Sequence, residues 1–126
     1  MHNFGKRALS SAVAQQIELY LRINLAKKIS VAELAAVAGL SRSRFIPAFR
    51  AAFGLPPHQF LLSLRLANAE QLLSGTDLSL PEVAATSGFS SQAHLTHTMA
   101  RRRSVTPGEL RKLANIDALG TLPDQG

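Results

Sequence analysis

A chain of 126 residues is long enough for one compact domain, or two very small ones sharing a helix, and too short for a large catalytic architecture. Its 14 Lys and Arg against 8 Asp and Glu leave a formal charge of +6, which attracts polyanions: nucleic acid first, an acidic membrane surface second. The lack of Cys excludes disulfides, thiolate nucleophiles and cysteine zinc sites, and no apolar run approaches the roughly 20 residues of a membrane span.

Ala and Leu dominate while aromatic residues make up only 6%, which favours helices packed on helices. The expected fold class is therefore all-α, with about seven helices. From the N-terminus, Ser10 to Asn24 places Val13, Ile17, Tyr20 and Leu21 on one face of an amphipathic helix. A short helix follows from the Ser30-x-x-Glu33 capping box, with Val31, Leu34, Ala35 and Ala38 inward, and Gly39 closes it. Ser41 then caps a second helix. Pro56 and Pro57 start a long helix from about His58 to Leu73, in which Phe60, Leu61, Leu64, Ala67 and Leu72 recur at helical intervals, and Gly75, Thr76 and Asp77 break it. Ser79-x-x-Glu82 opens another short helix that stops at Gly88, and Ser90 is placed to cap the next. Thr106, Pro107 and Glu109 begin a last helix, and the pattern fades beyond Asn115. The expected organisation is an arm over 1–9, a first unit over 10–56, a connecting helix over 57–75, a second unit over 76–115 and a flexible tail over 116–126.

The chain repeats itself. Ser30, Glu33, Leu34, Ala35, Gly39 and Ser41 match Ser79, Glu82, Val83, Ala84, Gly88 and Ser90 at an offset of 49, while Phe45 and Phe49 match Leu95 and Met99 at 50. The second copy thus carries one extra residue just after its turn. A helix, a short turn containing Gly and a second helix is the helix-turn-helix pattern. A hairpin that only packs carries the same signals, but two copies in a basic chain favour binding.

On a helical wheel Phe45, Phe49 and Ala52 fall on the buried side of the first recognition helix (42–53), leaving Arg42, Ser43, Ile46, Pro47 and Arg50 outward. In the second (91–102), Leu95 and Met99 turn inward and Gln92, Ala93, Thr96, His97 and Ala100 outward. Arg pairs bidentately with guanine and Gln with adenine, His97 can donate to or accept from a base edge, and Ile46 or Ala93 suits a thymine methyl. The expected base contacts are Arg42, Ser43, Ile46, Pro47, Gln92, Ala93, Thr96 and His97, with Arg42, Gln92 and His97 the main readers. Phosphate contacts are expected from Ser41, Arg44, Arg50, Ser90, His94, Arg101, Arg102 and Arg103, which set affinity and register. His94 and His97 have a spacing that metal sites also use, yet no third ligand is evident, and no Gly-rich nucleophile turn or phosphate loop is present. No metal, cofactor or catalysis is expected.

The stretch from about Ile17 to Arg111 resembles the DNA-binding domain of the AraC/XylS family of transcription regulators. The motifs that carry the likeness are "AGLS" at Ala38, "FRAAFG" at Phe49, "RLANAEQLL" at Arg65, "GF" at Gly88 and "TPGELR" at Thr106. The resemblance implies two homeodomain-like three-helix units joined by a long helix. The second helix of each enters one of two successive major grooves, which face the same side roughly every 34 Å. It implies a sequence-specific transcriptional regulator in the bacterial cytoplasm, with double-stranded DNA, RNA polymerase and an effector-sensing domain outside this chain as partners; a non-specific or architectural DNA-binding protein is the alternative. Departures from the family pattern are Pro47 and His97 where an Arg is common, Met99 for Phe, Arg103 for an aromatic and Ser104 for Gly.

Overall fold

The structure is a computed structural model and describes residues 8–120. Among them run seven helices: α1 (Ser11–Ile23), α2 (Val31–Ala38), α3 (Arg42–Phe53), α4 (Pro57–Gly75), α5 (Leu80–Thr86), α6 (Gln92–Arg103) and α7 (Pro107–Gly120). No strand occurs among the described residues. The all-helical expectation holds, and the helices group into two compact units divided between Leu64 and Arg65.

The first unit is built around Ile17 and Leu21 of α1, Leu34 and Ala35 of α2, Phe45 and Phe49 of α3, and Leu61 of α4, all buried in one cluster. Phe49 is its hub. Its ring centroid lies 4.3 Å from Phe53 in a stacked pair, and 5.6 Å from Phe60 edge-on. Such pairs contribute roughly 0.5–1.5 kcal/mol each beyond the area they bury. The Tyr20 hydroxyl donates to Glu33 Oε2, tying α1 to α2. That bond holds the Glu33 carboxyl below the ordinary carboxylate range and pushes the Tyr20 hydroxyl up.

In the second unit the buried apolar side chains include Leu66, Ala69 and Leu73 of α4, Val83 and Ala84 of α5, Phe89 of the turn, and Leu95 and Met99 of α6. Ser87 is fully buried, and Asn68 Nδ2 donates to its hydroxyl at 3.0 Å. Arg111 of α7 reaches back to the end of α4 and the segment after it: Nε donates to the Leu73 carbonyl at 3.2 Å, one terminal nitrogen to Leu78 at 2.6 Å and the other to Thr76 at 3.0 Å.

Three expectations need correction. Ala67 is exposed, and Leu66, Ala69 and Leu73 are buried instead, because α4 belongs to both units and a single apolar period does not describe it. Leu9, assigned to the N-terminal arm, packs against the core of the first unit. The last helix continues through Gly120, past Asn115, so positions 116–120 are helical. The rest of the arm and tail, over 1–7 and 121–126, lies outside the described residues.

Candidate nucleic-acid interface

Each unit presents a short helix, a tight turn and a longer helix. α2 begins with a reciprocal cap: Ser30 Oγ accepts from the Glu33 amide at 3.0 Å, and Glu33 Oε1 accepts from the Ser30 amide at 3.3 Å. α5 repeats it with Ser79 and Glu82 at 3.2 and 2.9 Å, and these bonds draw the Glu82 carboxyl below its ordinary range. Both turns close in the same way. The Gly39 amide donates to Ala36 at 3.1 Å and the Leu40 amide to Ala35 at 2.9 Å, with Gly39 left-handed at φ 72°. Gly88 and Phe89 make the matching bonds to Ala85 and Ala84 at 3.2 and 2.9 Å, with Gly88 at φ 89°.

The longer helices then diverge. Ser41 caps α3, accepting from the Arg44 amide at 3.3 Å. In the second unit the cap is Ser91, which accepts from the His94 amide at 3.0 Å, and not Ser90 as expected from the first copy. The physical reason is the inserted residue: Ser90 occupies it, so α6 starts at Gln92, one position later than expected. Ser90 instead lies against the His94 ring, its hydroxyl 3.1 Å from Nδ1 and its amide donating to the same nitrogen at 3.4 Å. Phe89 meets that ring edge-on at 5.3 Å. His94 therefore braces the turn as well as lining the surface.

On α3, Phe45, Ala48 and Phe49 face the core, whereas Ala52, expected inward, is exposed. Arg42, Ser43, Ile46, Pro47 and Arg50 are exposed, as the wheel predicts, and so are Ser41 and Arg44. The helix runs unbroken through Pro47. Proline has no amide for the Ser43 carbonyl, and both residues lie on the exposed face where water can serve that group. On α6, Leu95 and Met99 are buried, and so is Thr98, which the wheel did not single out. Gln92, Ala93, His97 and Ala100 are exposed, while Thr96 is half-buried.

The cations near these faces differ in their freedom. Arg42, Arg44, Arg50, Arg101 and Arg102 are exposed. Arg103 is engaged, its Nε 3.1 Å from Glu70 Oε2, with both side chains 33% exposed. Its charge is partly spent on α4. Sequence reasoning missed this pair, the Asn68–Ser87 bond and the Arg111 clamp because the partners are 33, 19 and up to 38 positions apart, and no helical period links them. In the sequence, Asn68 and Glu70 lie within "RLANAEQLL" and Arg111 ends "TPGELR", motifs that give none of them a partner.

Residues 34–113 match a protein-family model described as a helix-turn-helix domain. The probable transcriptional regulator LumQ of Photobacterium leiognathi is 41% identical over 91 residues, covering 72% of this chain and 37% of that protein. The transcriptional regulator MtrA of Neisseria gonorrhoeae is 35% identical over 83 residues, covering 66% of this chain and 28% of that one. The chain thus spans less than two fifths of the length of these relatives. Among solved structures, the DNA-binding domain of the global transcriptional factor AdpA, in complex with a target DNA, aligns with a TM-score of 0.78 at 29% identity, over 90% of this chain and 97% of that one. A transcriptional regulator with an AraC-type DNA-binding domain from Chromobacterium violaceum aligns with a TM-score of 0.76 at 28% identity, over 89% and 96%.

Proposed function

The chain belongs to the AraC-type helix-turn-helix family of transcriptional regulators, and on that premise we propose that it binds double-stranded DNA sequence-specifically and regulates transcription. The observation that carries this reading is the pair of capped helices, α3 and α6, each burying one stripe and exposing another that bears hydrogen-bonding or methyl-reading groups flanked by Arg. In the bound state α3 and α6 lie in successive major grooves. Arg42, Ser43, Ile46, Pro47, Gln92, Ala93, Thr96 and His97 face base edges. Ser41, Arg44, Arg50, Ser90, His94, Arg101 and Arg102 face phosphates, with Arg103 shared between phosphate and Glu70.

The remaining length of the relatives leaves room for an effector-sensing domain, and RNA polymerase is the partner that regulation requires. The site of action is the bacterial cytoplasm, and the work is binding, with no catalytic step. A second reading, a non-specific architectural protein, is favoured by Pro47, which puts no hydrogen-bond donor at the middle of the α3 stripe.

Selection of bound duplexes from a random pool, followed by titration of selected and random duplexes at one stated salt concentration, separates the two. The regulator reading expects a preference of about a thousandfold or more for the selected duplex. Equal affinities would overturn it in favour of the architectural reading.

A further inference from the structure

The middle of the α3 stripe offers DNA almost nothing polar. Taking Phe45 as the inward reference, Ser43 and Pro47 point roughly opposite at 100° per residue, with Ile46 beside them. The Ser43 hydroxyl is 3.3 Å from the Ser41 hydroxyl and so is held at the helix cap. Pro47 is exposed and has no donor, and Ile46 leaves 40% of its surface in water. Arg42 and Arg50 stand on either side of this patch along the chain. The matching positions on α6 are Ala93, Thr96 and His97, where His97 does carry ring nitrogens. The two helices therefore present different chemistry from the same position.

We propose that the first unit recognises its half-site through thymine 5-methyl groups packed against Ile46 and Pro47. This rests on the DNA-binding reading above and deepens it. The thymine methyl is the one apolar group that base pairs display in the major groove. A cytosine amino group or a guanine carbonyl set against Ile46 and Pro47 loses its water and gains no partner, so G·C pairs are disfavoured there. Both side chains suit the task. Proline loses no rotamer freedom on contact, and the β-branched Ile46 is already stiff at χ1, so little entropy is lost when a methyl is covered.

The test replaces each thymine of the selected duplex, one at a time, with deoxyuridine, which removes the methyl and leaves every hydrogen-bonding group in place. Burying one methyl corresponds to about a fourfold change in affinity. The wild-type chain is expected to lose about that much at one or two thymines, and the Ile46→Ser, Pro47→Ser double variant to bind thymine and uracil duplexes equally there. Both changes lie on the exposed face, and a retained helical far-UV spectrum verifies that the variant is folded. The proposal is overturned if every uracil duplex binds within twofold of its parent, or if the loss persists in the double variant. A chain that prefers no duplex over random DNA overturns the sequence-specific reading itself, which is a different result from specific binding that ignores the methyls.

Discussion

Arg111 makes three donor contacts through one planar group, to the carbonyls of Leu73 at 3.2 Å, Leu78 at 2.6 Å and Thr76 at 3.0 Å. The first two bonds are part-buried and the third is exposed. A hydrogen bond with one charged partner contributes about 1.5–3 kcal/mol, and the exposed bond contributes least because water replaces it. The guanidinium also faces carbonyls at and just after the end of α4, where positive charge is favourable by a further fraction of a kcal/mol. Truncation in Arg111→Ala is therefore expected to destabilise the second unit by about 3 kcal/mol. Arg111→Lys keeps the charge but replaces a fork by a point, so one carbonyl at most is recovered and a loss of about 2 kcal/mol remains. Native-state amide hydrogen exchange at Val83 and Leu95 reads the second unit directly, with the Leu21 amide as an internal reference in the first. If Lys matches the wild type to within about 0.5 kcal/mol, charge alone suffices and the geometric argument is wrong.

Ser104 ends α6 in the left-handed region at φ 60°, where Gly54 ends α3 at φ 81°. Ser104→Gly is expected to raise stability by about 0.5–1 kcal/mol, the left-handed strain relieved less the entropy that glycine adds to the unfolded chain. Gly54→Ala should lose about 1 kcal/mol although an added Cβ meets nothing within 4 Å, and thermal melts showing no change in either variant would exclude backbone strain at both ends. Glu33 has its carboxyl pKa lowered in the fold by the Tyr20 hydroxyl and the Ser30 amide. Its contribution is thus complete above the unfolded value of about 4.3 and is lost as pH falls through the lower folded value. Denaturant titrations from about pH 5 down to pH 3 should show Glu33→Gln losing less stability than the wild type, and parallel curves would refute the linkage. Gln92→Ala or His97→Ala is expected to relax preference at one base pair by about 1–3 kcal/mol, whereas Arg50→Ala or Arg101→Ala weakens all duplexes alike and lowers the salt slope by about one. Binding titrations across salt concentrations that gave the reverse pattern would overturn the division into base and phosphate contacts.

What the sequence made legible was whatever lies within a few residues along one helix. The Ser30–Glu33 and Ser79–Glu82 caps, the glycines at 39 and 88, and the burial of Phe45, Phe49, Leu95 and Met99 all follow from spacings of three or four, and all are present. α4 was read less well because each half serves a different core, so the positions that a single stripe selects (Ala67) are not those that are buried (Leu66, Ala69, Leu73). Arg103 was read as one member of a basic run. Only the fold reveals that Glu70, 33 positions earlier, engages it through Nε, although all three members of the run are exposed. Tyr20 was counted as a core residue by its helical position, but its hydroxyl has a specific acceptor in Glu33, a pairing across two helices that no local period encodes.

The inserted residue of the second copy shows how a repeat can change without losing its interface. Up to Leu40 and Phe89 the two turns carry the same pair of hydrogen bonds, so the extra residue must come after Phe89, and it is Ser90. Inside a helix an insertion rotates everything beyond it by roughly 100°, which would carry Leu95 and Met99 out of the core and His97 away from the exposed face. Placed in the turn, it shifts the cap from the position equivalent to Ser41 to Ser91, and α6 restarts with its faces intact: Leu95 and Met99 buried, His97 exposed. The added Ser90 amide finds an acceptor in Nδ1 of His94, in the first turn of the new helix. The same contact that accommodates the insertion thus turns Nδ1 of His94 toward Ser90 and leaves Nε2 on the far side of the ring.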